Sequence, residues 1–278
     1  MTSRERFINT ITGKKIDRLP FFFHFGPWPE TIARWRDEGM TGKWIGGFYD
    51  GMGFDPGIRH VDVKLGYFPY GLLGTLRDVM GVEELCCAFY EDPELVREMM
   101  ETFTDLWLAI YEKVCNDVKV DVIHMWEDMS GKNGSLIFPA MVREFMMPCY
   151  KRIAAFAKAH DIPVFSLDTD GDCSELVPLF MESGINMIFP FEVAAGSDVV
   201  DYRKKYPNLG IMGGINKIEI AKGRDAIDRE LARLAPMFDK NPYIAMLDHL
   251  IPPEISWEDF NYFVERLRDI ILNPPFSD

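Results

Sequence analysis

Six short apolar runs in this sequence each end at a residue able to hold a proton, a metal ion or a polar substrate. His24 follows Leu19-Pro20-Phe21-Phe22-Phe23. Glu127 and Asp128 follow the run that closes at His124-Met125-Trp126. Asp168, Asp170 and Asp172 follow Pro163-Val164-Phe165-Ser166-Leu167. Glu192 follows Phe189-Pro190-Phe191, Asn216 follows Gly213-Gly214-Ile215, and Asp248 with His249 follows Tyr243-Ile244-Ala245-Met246-Leu247. Carboxylates and imidazoles move protons, and the same groups ligate divalent metals. A single polar residue after an apolar run is ordinary loop chemistry. Six in the same position relative to their runs point to a shared polar pocket.

Each residue also has a plainer use. Asp168 and Asp172 fit the N-cap of a helix starting near Cys173. Asp170-Gly171 is a common turn pair. Glu127 and Asp128 fit solvated loop charges, Glu192 fits an ion pair at a helix start, and His249 fits a structural hydrogen bond. His124 lies mid-strand and reads as core. Phe25, Trp28 and Trp126 lie close to the polar positions and could stack on an aromatic ligand.

The elements that must position these residues alternate between short apolar stretches and longer amphipathic ones from about residue 93 onward, the pattern of βα units and a parallel sheet. Asp92-Pro93 opens a helix as N-cap and first helical residue, and apolar residues at Val96, Met99, Met100, Phe103, Leu106 and Ile110 carry it on. Strands are predicted at 19–23, 120–125, 163–167, 185–189, 209–212 and 243–247. Helices are predicted at 139–159, 173–181, 198–205 and 223–238, with a last one starting at Ser256 in a capping box with Asp259. Residues 42–85 resist assignment. Ser130-Gly131-Lys132-Asn133-Gly134-Ser135 lacks phosphate-loop spacing and reads as a mobile loop.

Composition narrows the class. The chain has 278 residues, 47% hydrophobic and 27% charged, with a net charge of -14. That suits one large domain over 1–278 and disfavours nucleic acid or a membrane surface, which select for clustered Lys and Arg. No apolar run approaches the ~20 residues that cross a bilayer. The N-terminus shows no signal-peptide pattern. Five cysteines, an odd number without Cys-x-x-Cys, suggest reduced thiols in a cytoplasm. The aromatic segment from Phe48 to Tyr70 is a candidate homodimer surface.

Several of these segments together resemble the uroporphyrinogen decarboxylase superfamily. They are Trp126-Glu127-Asp128-Met129, Ile137-Phe138-Pro139, Arg143 to Pro148, Asp168-Thr169-Asp170-Gly171-Asp172, Phe191-Glu192, Met212 to Asn216, and Leu247 to Ser256. The resemblance spans roughly residues 90 to 270. It implies an α/β fold, the (β/α)₈ TIM barrel, with its site at the C-terminal strand ends. It also implies one of two activities: decarboxylation of a tetrapyrrole, or methyl transfer involving a corrinoid (cobalamin-type) protein, often with zinc.

Two local departures bear on that choice. Where true decarboxylases carry an arginine-rich motif for substrate carboxylates, this chain reads His24-Phe25-Gly26-Pro27-Trp28-Pro29. Where thiol-specific methyltransferases carry His-x-Cys, it reads Asp168-Thr169-Asp170. The expected reaction is therefore methyl transfer between a small O- or N-methyl donor and a corrinoid protein. Glu127, Asp128 and Asp168 are the expected catalytic groups. His24, Phe25, Trp28, Trp126 and Asn216 are the expected substrate contacts, and Asp170, Glu192 and His249 the expected ligands for zinc. A carboxy-lyase for a smaller acid and a non-catalytic tetrapyrrole- or cobalamin-binding barrel are the alternatives.

Overall fold

A computed structural model describes residues 1–41, 44–45, 48–49, 55, 60–61, 71–238 and 242–273. The first part of the chain forms α1 (Ser3–Ile11), α2 (Pro29–Asp37), and the two-residue strands β1 (Trp44–Ile45), β2 (Phe48–Tyr49) and β3 (His60–Val61). Then come α3 (Leu72–Met80), α4 (Val82–Glu91), α5 (Pro93–Asp117), β4 (Val122–Trp126), β5 (Ser130–Gly131), β6 (Gly134–Ser135), α6 (Pro139–Met141) and α7 (Met147–Ala159). Next are β7 (Val164–Thr169), α8 (Val177–Glu182), β8 (Met187–Pro190), α9 (Val199–Lys205) and β9 (Gly210–Met212). The chain closes with α10 (Lys217–Ile220), α11 (Arg224–Arg233), α12 (Ala235–Phe238), β10 (Tyr243–Ile244) and α13 (Trp257–Leu272). The expected βα alternation is present. Most of the segment proposed as a homodimer surface lies outside the described residues.

The chain divides into two compact units, Ile58–Phe189, and Met1–Gly57 together with Pro190–Asp278. In Ile58–Phe189 the sheet order is β3-β4-β7-β8. β4 and β7 run parallel, with His124 opposite Ser166 and Trp126 opposite Asp168. β4 is buried along almost its whole length and β7 entirely, as parallel strands covered by helices must be. Asp92 caps α5 by accepting from Leu95 N, and Trp107 and Tyr111 of α5 are fully buried. Between α6 and α7, Val142–Met146 forms a π-helical turn in which Met147 N–H donates to Val142 O. Pro148 follows immediately; it has no N–H to give the i−4 carbonyl, so the regular ladder cannot run through this point.

The backbone departs from several expectations. The stretch 130–135 is a tight antiparallel hairpin of β5 and β6, with Ser130 opposite Ser135. The helix expected at 173–181 starts four residues later, at Val177, because Pro178 is accepted only in a first helical turn. The unassigned stretch 42–85 holds α3 and the beginning of α4.

In the other unit, β9 and β10 pair in parallel, and the ladder continues as single bridges, Ile215 to Leu247 and Pro27 to Ile251. Trp35 is fully buried, stacked on Phe260 at 4.6 Å, and donates its indole N–H to Ile255 O. Ser256 caps α13 by accepting from Asp259 N. The strand expected at 19–23 is absent. Its Leu19, Phe21 and Phe23 are buried, but Phe21 makes both main-chain bonds to one residue, donating to the Asp55 carboxylate and accepting from Asp55 N.

Asp55 is 7% exposed and also accepts from Arg18, Arg6 and Ser3. Burial by itself would raise its carboxyl, but these donors outweigh burial and hold it below the ordinary carboxylate range. Asp17 is lowered as well, chiefly by its bonds to Arg6. Both folded values lie below the unfolded ones, so the stabilisation is complete above the ordinary carboxylate range and is lost as pH falls through the folded values. Denaturant midpoints should therefore fall as pH drops below about 4. Asp55→Ala should cost about 3 kcal/mol at neutral pH and flatten that acid limb, measured by urea unfolding at stepped pH.

Candidate functional site

In Ile58–Phe189, the strand-end polar residues separate by direction. Side chains alternate along a strand, so His124 and Trp126 share one face of β4, and Ser166 and Asp168 share the matching face of β7. The Nδ1 atom of His124 lies 3.0 Å from Ser166 Oγ, and that hydroxyl donates to Ile123 O at 3.3 Å. A hydroxyl has one proton to give. With that proton given to Ile123 O, the hydroxyl accepts from His124 Nδ1–H, which leaves Nε2 as the other ring nitrogen. The ring stacks on Phe189 at 5.2 Å and 22°, which fixes its plane. A ring nitrogen of His124 and a carboxylate oxygen of Asp168 lie within 4.8 Å of each other. Both residues are buried, at 6% and 5% exposure. His124 looks like core in the sequence because it interrupts an apolar strand; the polar Ser166 opposite it is the signal that its ring has a hydrogen-bonded task.

Glu127 has a different situation. It is fully buried and accepts from Leu72 N at 2.7 Å, Leu73 N at 2.7 Å, Gly74 N at 3.3 Å and Tyr150 Oη at 2.6 Å. Its carboxylate thus satisfies the otherwise unbonded N–H groups at the start of α3 and complements that helix's positive end. Burial pushes the carboxyl up more strongly than the four donors pull it down, and the same pair raises Tyr150 well above its usual value, through burial first and the Glu127 charge second. Gly71 is required here: a Cβ would sit 2.2 Å from Glu127 Cδ. The sequence places Glu127 among proton-transfer candidates; its four donors give it the work of a buried clamp instead.

Asp128 adopts a left-handed backbone, φ 42°, and its carboxylate and carbonyl both receive Arg77, at 3.2 and 2.8 Å. The same guanidinium lies 4.9 Å from the Trp126 ring centroid, a cation–π distance. The Asp168 carbonyl accepts from both Glu127 N and Asp128 N, so the ends of β4 and β7 are tied by main chain. Asp170 sits just past β7. Gly171 follows at φ 72°, where a Cβ would lie 2.6 Å from the Ser130 and Gly131 carbonyls, and Asp172 caps the next turn by accepting from Ser174 N.

In the unit of 1–57 and 190–278, Phe25 lies between two imidazoles, its centroid 5.1 Å from His24 and 5.1 Å from His249. Trp28 is 44% exposed and is held by its N–H to Ile251 O. Glu192 pairs with Lys217 Nζ at 3.0 Å, which already balances the charge intended for a metal. Asp248 is fully buried; its oxygens accept from Val193 N and Lys217 N, each at 3.0 Å, and burial raises its carboxyl. Asn216 Oδ1 caps α10 by accepting from Ile218 N, and Asn216 N donates to Glu230. Lys217 and Arg77 are absent from the sequence-based site, since a solitary cation on a helix carries no positional signal.

The family model described as Uroporphyrinogen decarboxylase (URO-D) matches residues 69–270. No curated protein matches the chain significantly. Among solved structures, the chain resembles a methyltransferase from Methanosarcina mazei, with a TM-score of 0.62 and 12% identity over 97% of this chain and 99% of that one. That likeness shows the fold, the α/β (β/α)₈ TIM barrel implied by the motifs.

The Glu127 clamp makes a direct prediction. Glu127→Ala should destabilise the protein by about 3–5 kcal/mol, because it strands three buried N–H groups and a hydroxyl. Tyr150→Phe, which removes only one bond, should cost about 1–2 kcal/mol. Urea unfolding monitored by tryptophan fluorescence measures both; equal losses would show that the N–H groups of α3 do not depend on Glu127.

Proposed function

The chain belongs to the uroporphyrinogen decarboxylase (URO-D) family, and from that membership we propose that it is a methyltransferase moving a methyl group between a small O- or N-methyl donor and a corrinoid carried by a partner protein. The observation that most supports this reading is the His124–Ser166–Asp168 arrangement on β4 and β7. It presents an imidazole nitrogen and a carboxylate side by side on neighbouring parallel strands, in a dry setting where electrostatic effects are strong.

The residues fit a zinc ion with nitrogen and oxygen ligands. A ligating histidine characteristically donates its other ring N–H to a fixed acceptor, and Ser166, anchored on Ile123 O, is such an acceptor for His124. A thiolate centre does not fit: no cysteine shares a ligand cluster with His124 and Asp168 among the described residues. His124 and Asp168 would hold the ion, and when bound it supplies Lewis acidity toward the departing oxygen or nitrogen. Oxygen ligands suit such leaving groups better than soft thiolates do. Asp170, just past β7 in the same unit, comes second as a ligand.

The chain's own residues then have three tasks. Asp128, held by Arg77 and 32% exposed at its side chain, would relay a proton to the leaving group. Asp168 electrostatically complements positive charge beside it. Trp126 offers a ring face to a flat donor and excludes water from it. The corrinoid supplies the nucleophile that takes the methyl group.

Mixing the protein with a reduced corrinoid protein and a panel of methyl ethers and methylamines should give the absorbance change of a methylated corrinoid with at least one donor. Asp168→Asn should slow it by about 100-fold or more. Failure of every donor, or carbon dioxide release from a small acid without corrinoid, would overturn the reading. Metal content measured beside the activity should fall in His124→Gln and Asp168→Asn and be retained in Asp172→Asn.

A further inference from the structure

The guanidinium of Arg77 meets two residues that have separate tasks in methyl transfer, and the helix that carries it is fitted to both. All the groups involved lie within Ile58–Phe189. α3 begins against the end of β4, where Gly71 N donates to Trp126 O at 2.7 Å. A Cβ on Gly74 would stand 2.7 Å from that same carbonyl, and 3.2 and 3.4 Å from Trp126 Cε3 and Cζ3. The helix backbone therefore lies directly against the indole. Arg77 comes three residues later, on the same face of α3, and its guanidinium is 4.9 Å from the centre of the Trp126 ring. One helix thus packs Trp126 from its carbonyl to its ring.

Asp128 is held by the same side chain. Its φ of 42° is left-handed, a conformation that residues with a side chain keep where their surroundings over-determine it. Asp128 N donates to Asp168 O at 3.3 Å, and Arg77 donates to Asp128 O at 2.8 Å and to its Oδ2 at 3.2 Å. Two of these three restraints come from Arg77. Its side chain is 14% exposed, so dissolved ions screen the contacts little. A planar fork can meet a carbonyl, a carboxylate and a ring together. An ammonium is a compact charge on a flexible stem and does not hold that geometry.

We propose that Arg77 is a positioning residue that couples Trp126 to Asp128. It fixes the indole plane on which a donor stacks and the direction from which Asp128 hands on a proton, so the two residues work as one unit. This deepens the methyl-transfer reading and rests on it for the tasks of Trp126 and Asp128. The coupling itself is a property of the folded protein and is measurable without turnover.

Proton–nitrogen correlation spectra of the whole protein test the coupling first. The indole resonance of Trp126 is assigned by its loss in Trp126→Phe. Asp128→Asn should move that resonance in the parent protein and leave it in place in the Arg77→Met background. Arg77→Lys keeps the charge and the fold, and it should silence the effect as Arg77→Met does. A shift of equal size in the parent and in both Arg77 backgrounds would overturn the proposal. With a methyl donor and reduced corrinoid protein, Arg77→Lys should lower kcat and raise KM, each by about tenfold, at the parent melting temperature. Adding Asp128→Asn to Arg77→Lys should then lower kcat no further than Asp128→Asn alone, since residues that act as a unit give non-additive losses. Additive losses would also overturn it. If the parent protein turns over no donor, the methyl-transfer reading fails and the spectra still decide whether Arg77 couples the two residues.

Discussion

A carboxylate sealed in a dry setting holds the strand ends of residues 58–189 in place. Glu127 leaves β4 and immediately meets the opening turn of α3 and the hydroxyl of Tyr150. A helix start has N–H groups that nothing inside the helix can satisfy, and in a buried position water cannot satisfy them either. The acid thus joins three elements far apart in sequence, and its position fixes where Trp126 and Asp128 stand. Those neighbours can present side chains outward only because Glu127 is anchored inward. The other unit repeats the device with Asp248, which is buried and holds the main-chain N–H groups of Val193 and Lys217. Acids at strand ends in this protein serve as structural fasteners as well as candidate reagents.

The architecture was readable in the sequence because its causes are local. Asp92-Pro93 and Ser256 start helices through their own side chains and ring, and buried parallel strands show as apolar runs whatever surrounds them. What misled the eye were features decided by distant residues. Leu19 to Phe23 has the composition of a strand, yet a lone aspartate 34 positions away from Phe21 takes its main-chain bonds. The aromatic-rich stretch before Leu85 hid helices because glycines and aromatics weaken any periodic pattern.

The candidate site was legible at the level of positions and less so at the level of roles. The strand ends do carry polar side chains. Which of them face a helix and which face the opposite side depends on strand alternation counted from the correct first residue, and a boundary error of one residue reverses it. Glu127 and Asp128 are adjacent and of like chemistry, yet one is enclosed by four donors and the other is half-open beside Arg77. His124 was hidden by the opposite effect: a polar ring inside an apolar run reads as packing until the hydroxyl across from it is seen. Glu192 looked like a ligand because Lys217, 25 residues later, gives no hint in the sequence that it returns to neutralise it.

The π turn ahead of Pro148 has a consequence for how this segment can vary. One extra residue in a turn rotates everything downstream by about 100° around the helix axis. Tyr150 lies just beyond it, so its phenol is aimed at Glu127 by the widened turn as much as by its own place in the chain. Closing that turn to ordinary α-helical hydrogen bonding without removing a residue would keep α7 helical while swinging the phenol to another side, and only a matching loss of one residue would restore its aim. A length change here is therefore felt more keenly than most changes of residue type, and the segment from Pro139 to Pro148 acts as a spacer whose count matters.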